Sequence, residues 1–252
     1  LLGVQNGVVD LKTGALLPSH PSQYITRKTR ASYTPGLRNI RWEEFLNFAT
    51  QGDRELQEWL QRAAGYTLTG LRDHDVLFLV YGPPGSGKST FLEALGHVLG
   101  DYFWMMPSQV IVESKLGSSS DEYHWAQLRG RRMVIFSELP EARNIKEDAI
   151  KRLTGDMTIT GRSPGERPIT FESQAKLWVG TNHRPTIRDE AMWRRIRAIP
   201  FGAVPEKPDP GLKPYLMDPE GGLPAVISWA VEGAVKVVSS AARDSLGWCT
   251  AV

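Results

Sequence analysis

The sequence predicts an α/β protein built on a parallel sheet. From Asp75 onward, short apolar runs alternate with helical patterns, and a glycine-rich turn, Gly82 to Gly87, joins the first run to the first helix. The composition is that of an ordinary globular chain: 252 residues, 41% hydrophobic and 23% charged. A chain of this length buries roughly three quarters of its unfolded surface, which excludes wholesale disorder. Thirty Lys plus Arg against 28 Asp plus Glu leave a net charge of +2. Bulk charge therefore cannot hold a polyanion, and any nucleic-acid site has to be local. The single cysteine, Cys249, allows no internal disulfide, and the five histidines lack ligand spacing, so a reducing compartment and no zinc site are expected. The longest apolar runs, 76–81 and 223–238, are shorter than the roughly 20 residues of a membrane helix, so no membrane partner is expected. The chain opens LLGVQNGVVDL, with no initiating Met and no basic leader, and reads as a piece of something longer.

Taken in order, the alternation from Gly7 to Leu17 around Lys12-Thr13-Gly14 predicts a short peripheral hairpin. Arg41, Trp42, Phe45, Leu46 and Phe48, then Leu56, Trp59 and Leu60, recur at three- and four-residue steps. They predict two amphipathic helices separated near Gln51-Gly52, with the aromatics as core rather than base-stacking platforms. Residues 1–70 thus form a hairpin plus a small helical unit. Strands are predicted at Val76–Tyr81, Arg132–Ser137, Lys176–Thr181 and Arg197–Phe201 within a core unit of residues 71–204. Inside that unit MTIT and PITF, joined by GRSPGER, predict a β-hairpin. Four prolines between Pro205 and Pro214 predict a loop or linker, followed by one apolar helix from Leu223 to Val238, in a C-terminal unit of residues 205–252.

Gly82-x-x-x-x-Gly87-Lys88-Ser89, directly after a strand and directly before a helix, is a P-loop in its required context. Gly82, Pro83, Pro84, Gly85, Ser86, Gly87, Lys88, Ser89 and Thr90 form the phosphate cradle. The glycines let successive N–H groups face phosphate oxygens, Lys88 reaches the β and γ phosphates, and Ser89 offers a hydroxyl to Mg²⁺. ATP and Mg²⁺ are the expected cofactors. Glu138 follows the run Met133 to Phe136 and is the candidate that holds the metal or polarises water. Glu141 shares that duty in an alternative division, and a solvated surface role for Glu138 stays open. Asn182 ends the third run, where a neutral amide can meet both the γ-phosphate and the attacking water. Arg188 and the cluster Arg194, Arg195 and Arg197 follow. Guanidinium groups presented to a neighbour's γ-phosphate act as arginine fingers; the alternative is a solvated basic face. Arg162 and Arg167 on the hairpin tip, with Lys151 and Arg152 just before it, are candidate DNA contacts, set against plain solvation.

The series of P-loop, acidic strand end, cationic hairpin and strand-terminal Asn resembles the compact motif order of superfamily 3 helicases. Within them it is most similar to the helicase part of phage and plasmid primase-helicases, related to the poxvirus primase-helicase. NGVVDLKTGAL, LQRAAGYTLTG, DAIKRLTGDMTITGR, KLWVGTNHRPTIRDEAMWRRIRAIPF and GLPAVISWAVEGA carry the likeness over nearly the whole chain. GPPGSGKST departs toward the general AAA+ loop. The resemblance implies an AAA+-like P-loop ATPase with a central parallel sheet. The helices of the first unit would serve as an oligomerisation collar. It also implies a homo-oligomeric, hexameric ring that hydrolyses ATP with Mg²⁺ and moves on single-stranded or forked DNA. Such a ring replicates a phage or plasmid in a bacterial host cytoplasm, with a primase in the longer parent chain. Glu138 matches the acidic motif, Asn182 the sensor, and Arg194 or Arg195 the finger.

Two other functions fit a P-loop on an α/β sheet. One is a nucleotide or small-molecule kinase, with MWRRIR as its lid. The other is a non-motor AAA+ switch or loader that binds ATP and DNA without moving.

Overall fold

The computed structural model describes residues 1–112, 121–136, 145–183, 190–240, 245–247 and 249–252. Three short strands open the chain, β1 (Leu2–Val4), β2 (Gly7–Asp10) and β3 (Ala15–Leu17), in an antiparallel sheet of order β1-β2-β3. The hairpin turns where predicted, but it is not peripheral. Leu2, Val4 and Val9 are wholly buried and join the main apolar cluster, and the preceding strand β1, absent from the prediction, covers β2.

Helices α1 (Ile40–Ala49) and α2 (Arg54–Leu68) follow. Asn39 caps the first by accepting from Trp42 N, and Asp53 caps the second by accepting from Leu56 N at 3.0 Å. Between them Gln51 and Gly52 take positive φ angles of 55° and 78°, which breaks the helix at the predicted point.

The central sheet has five parallel strands: β4 (Leu77–Tyr81), β5 (Phe103–Met106), β6 (Met133–Phe136), β9 (Lys176–Thr181) and β10 (Ile196–Pro200), in the order β10-β4-β9-β6-β5. Between these strands run α3 (Lys88–Leu99), α4 (Asp121–Ala126), α5 (Glu147–Gly155), the hairpin β7 (Thr158–Gly161) and β8 (Ile169–Glu172), and α6 (Glu190–Trp193). This is the α/β, AAA+-like arrangement around a parallel sheet that the sequence predicts. Strand β9 matches its predicted bounds; β5, whose FWMM lacks alternation, was not predicted.

Alternate residues of β4 face two cores. Phe78 and Val80 join a cluster with α1, α2, α3 and the C-terminal helix, while Leu77 and Leu79 join one with α5 and the hairpin. Trp178 stacks on Phe78 with ring centroids 4.3 Å apart and donates to Thr67 Oγ1 at 3.1 Å, tying β9 to α2.

The proline-rich segment is not all loop, since α7 (Leu212–Met217) starts inside it and is followed by α8 (Leu223–Ser239). Helix α8 is buried nearly all round because it lies against both α2 and α3. One apolar cluster therefore runs through the N-terminal, central and C-terminal segments. The α2–α8 crossing depends on two glycines: a Cβ on Gly65 would stand 2.0 Å from Ala234 N, and one on Gly233 only 1.8 Å from Gln61 O. Because the obstacle is backbone, Gly233→Ala is expected to lower stability by about 3 kcal/mol, read as a shifted urea midpoint. An unchanged midpoint would mean that the helices are not this close.

Lys176 is fully buried at the foot of β9, donating to Thr69 O at 2.8 Å and Gln174 O at 3.0 Å. Burial, reinforced by Arg132 and Arg72, holds its pKa well below the ordinary lysine value. With Arg132, which donates to Leu68 O, it satisfies the last carbonyls of α2. No helix among the described residues is long and apolar enough to cross a membrane.

Candidate nucleotide site and cationic hairpin

Parallel pairing brings the ends of β4, β9, β6 and β10 to one edge of the sheet, with Tyr81 level with Thr181 and with Pro200. The loop from Gly82 to Gly87 leaves β4 at that edge and runs into α3. Gly82 has φ 152° and a Cβ there would stand 1.9 Å from Phe201 O, so only glycine lets the loop start against β10. Gly87 sits left-handed at φ 89°, directly before the helix, and a Cβ there would meet the ring of Phe45 at 2.7 Å. Among the described residues no side chain caps α3, so its first N–H groups are available to an anion. Lys88 is only 7% exposed and its ammonium donates to Gly82 O and Pro83 O, both at 2.8 Å. The loop is thus folded around the lysine that the sequence assigns to the phosphates.

A cavity of about 710 Å³ opens over this loop. Residues 84–90 line its floor, and Gly180, Thr181 and Asn182 from the end of β9 and Phe136 from the end of β6 line one wall. Asn182 therefore shares one cavity with Lys88, Ser89 and Thr90. The turn that presents it is fixed by Thr181, whose hydroxyl donates to His183 O at 2.9 Å. Glu138, Glu141 and Arg188 lie outside the described residues. The glycine cradle, the open helix end and the buried lysine fit a triphosphate, and the Ser89 hydroxyl fits a hard cation such as Mg²⁺.

Part of the lining was not legible in the sequence. Phe48 of α1 and Pro205, Lys207, Pro208 and Asp209 also line the cavity, while Phe45 packs against the loop at Gly87. Phe48 is 39% exposed there, unlike Trp42 and Trp59 at 1%. The core reading holds for those tryptophans and fails for Phe48. Arg41 pins the segment: it pairs with Asp209 at 2.6 Å and lies over the Tyr215 ring at 4.5 Å. The Gly211 N–H and then Arg41 hold the Asp209 carboxyl below the usual range.

Arg194 and Arg195 are not in this cavity. They precede β10, whose Ile196 is level with Leu77, and so sit at the opposite edge of the sheet, about 13 Å along β4 from the phosphate loop. There they line a second cavity of about 650 Å³ with Lys151, Arg197, Asp73 and Asp75.

The predicted hairpin is present as β7 and β8, registered from Thr158 opposite Glu172 to Gly161 opposite Ile169. Ile159 is buried while Thr158, Thr160 and Thr170 face out, so one face is core and the other free. Gly161 passes against α4, where a Cβ would stand 2.3 Å from Ala126 N. The four cationic candidates differ. Arg167 is exposed at the tip; Arg162 lies 3.5 Å from Glu122; Arg152 stacks on Trp125 at 3.9 Å; Lys151 turns to the second cavity.

Comparison with known proteins adds the following. A family model described as D5 N terminal like matches residues 1–51, and one described as a family of unknown function (DUF5906) matches residues 80–195. A protein of Acanthamoeba polyphaga mimivirus named "Putative helicase L207/L206" is 31% identical over 209 residues, 80% of this chain and 22% of that protein. Among solved structures, the apo C-terminal region of NrS-1 superposes with a TM-score of 0.61 at 14% identity, over 84% of this chain and 54% of that one. A second NrS-1 structure, spanning its residues 305–718, gives 0.57 at 13% identity. The chain thus spans about a fifth of the mimivirus relative (22%) and about half of the NrS-1 chain (54%).

Proposed function

We propose that this chain is of the superfamily 3 primase-helicase type, a reading supported by the D5 N terminal like match and the likeness to a putative helicase, and that it is an ATP-driven motor that assembles in rings and moves on single-stranded DNA. The observation that carries this reading is the convergence of Lys88, Ser89 and Asn182 in one cavity, with the cationic hairpin on a separate element. Open N–H groups of the loop and of the start of α3 bind phosphate oxygens, and the Lys88 ammonium exchanges loop carbonyls for the β and γ phosphates. The Ser89 hydroxyl would help to hold Mg²⁺, which when bound would supply charge neutralisation to the phosphates. Asn182 orients the attacking water, and Glu138 accepts its proton. A guanidinium from the cluster at the far edge of the sheet completes the site of an adjoining copy.

That placement bears on the kinase alternative. A lid has to close over the phosphates of its own chain, whereas Arg194 and Arg195 stand a strand length away from them. The non-motor switch is separated from the motor by strand displacement. On a forked DNA substrate the chain is expected to release the displaced strand with ATP and not with ADP. Binding and hydrolysis without release would favour the switch.

A further inference from the structure

Three segments far apart in the chain bring cations together around one carboxylate, Asp101. Residues 27–30 lie across the turn between α3 and β5: Lys28 N donates to Asp101 Oδ2 at 3.1 Å, Asp101 N to Lys28 O at 3.0 Å, and Arg30 N to Val98 O at 2.9 Å. They also reach the turn ahead of β6. Arg27 and Arg131 both donate to Asp101 O, and Arg27 donates to Arg129 O at 2.8 Å. Gly130, left-handed at φ 71°, leaves room for the Arg27 guanidinium, since a Cβ there would stand 2.7 Å from its Nε. Lys28, Arg30 and Arg129 are exposed, and Arg30 Nη1 donates to His97 Nδ1 at 3.3 Å. Among the described residues none of these five cations is in an ion pair, and Glu93, the next carboxylate along α3, is taken by Lys213 at 2.6 Å. Burial, and then the Arg27 charge, lower the Arg131 pKa. Like charges are thus held together with too little counter-charge, which a bound anion relieves. Beside them Tyr24 is 88% exposed. Its backbone is fixed left-handed at φ 51° by Tyr24 N donating to Pro21 O at 3.1 Å, on a turn that His20 N closes by donating to Gln23 Oε1 at 2.7 Å. The chain from Tyr24 to Arg27 spans at most about 11 Å.

We propose that this surface is a second binding site for single-stranded DNA, apart from the hairpin, in which Lys28, Arg30 and Arg129 take backbone phosphates and Tyr24 stacks on an unpaired base. Guanidinium groups dominate the patch, and their planar forks match phosphate oxygens. A large exposed ring on a fixed turn adds a stacking platform, which favours an unpaired base over an acidic protein segment. The place in the fold agrees. The patch lies at the feet of β5 and β6, where Arg132 N donates to Tyr102 O at 2.8 Å, and Lys176 N at the foot of β9 donates to Arg132 O at 2.9 Å. Strand β8 of the hairpin returns to that same edge, ending at Glu172 just ahead of Lys176. The feet of β9 and β5 are two strand spacings apart, about 10 Å, so a strand held by the hairpin is within reach of the patch. The site rests on the single-stranded DNA reading above and extends it by a surface that the hairpin does not include.

The test is fluorescence anisotropy of a labelled oligothymidylate with the full chain, without nucleotide, over a series of salt concentrations. Lys28→Gln, Arg30→Gln and Arg129→Gln together are expected to weaken binding at an unchanged urea midpoint and to reduce the slope of log K against log salt by between about 0.7 and about 2.1, at about 0.7 for each phosphate. Tyr24→Ala is expected to weaken binding about fivefold or more at an unchanged salt slope, because stacking neutralises no phosphate, while Tyr24→Phe keeps the parent affinity. Parent affinity and slope in the triple variant would overturn the proposal and leave the hairpin reading standing. Parent affinity in Tyr24→Ala, with polyglutamate displacing the oligonucleotide, would assign the patch to an acidic protein segment and overturn it as well. Absence of binding by the parent chain would overturn the single-stranded DNA reading and this site together.

Discussion

Lys88→Ala is expected to remove ATP turnover, with a fall of about 10³-fold or more, because no other cation of the described loop reaches the phosphate end of the cavity. The lysine is 7% exposed and bonded to two loop carbonyls, so its loss takes the ammonium donor from Gly82 O and leaves Pro83 O with the Ser86 N–H at 3.3 Å. That adds a stability cost of about 1–3 kcal/mol. The two effects are separable. A urea unfolding curve reports the second, and steady-state hydrolysis at a temperature where the variant is folded reports the first. Turnover retained in folded Lys88→Ala protein would remove this loop from the chemistry.

The second large effect belongs to the hairpin. Replacing Arg162 and Arg167 together with alanine is expected to weaken single-stranded DNA binding and to reduce the slope of log K against log salt by between about 0.7 and about 1.4, at about 0.7 for each phosphate fully neutralised in the parent chain. Hydrolysis without DNA should be largely unchanged, since neither residue lines the cavity over the loop. The two arginines are not equal. Arg167 is exposed at the tip, whereas Arg162 lies 3.5 Å from Glu122 and would meet DNA in competition with that carboxylate. Arg167→Ala should therefore carry most of the change. Glu122→Gln should tighten DNA binding by releasing Arg162. Equal salt slopes in the double variant and the parent chain would exclude the hairpin as a phosphate-binding element.

What the sequence made legible is local. Strand β9, the loop from Gly82 to Ser89, the break at Gln51-Gly52 and the MTIT/PITF hairpin each carry their own signal within a few residues: a run, a glycine spacing, a periodicity. What stayed hidden depends on partners far along the chain. The first strands look short enough to be peripheral until Tyr102, 99 residues away, accepts from Gly3 N at 3.1 Å and the cluster closes over Leu2 and Val4. Phe48 has the same helical spacing as its buried neighbours, and only the segment from Pro205 to Asp209 makes its surroundings a cavity wall. Arg194 and Arg195 are chemically identical neighbours in sequence. What ties Arg195 down is Asp75, 120 residues away, and Thr154 at the end of α5.

The central claim is that the phosphate loop and the hairpin belong to one coupled machine. Its most direct test is steady-state ATP hydrolysis with and without single-stranded DNA, at a chain concentration high enough to favour rings. Marked stimulation by DNA, lost in the Arg162 and Arg167 double variant, is the expected result. Robust hydrolysis that is indifferent to DNA would contradict it.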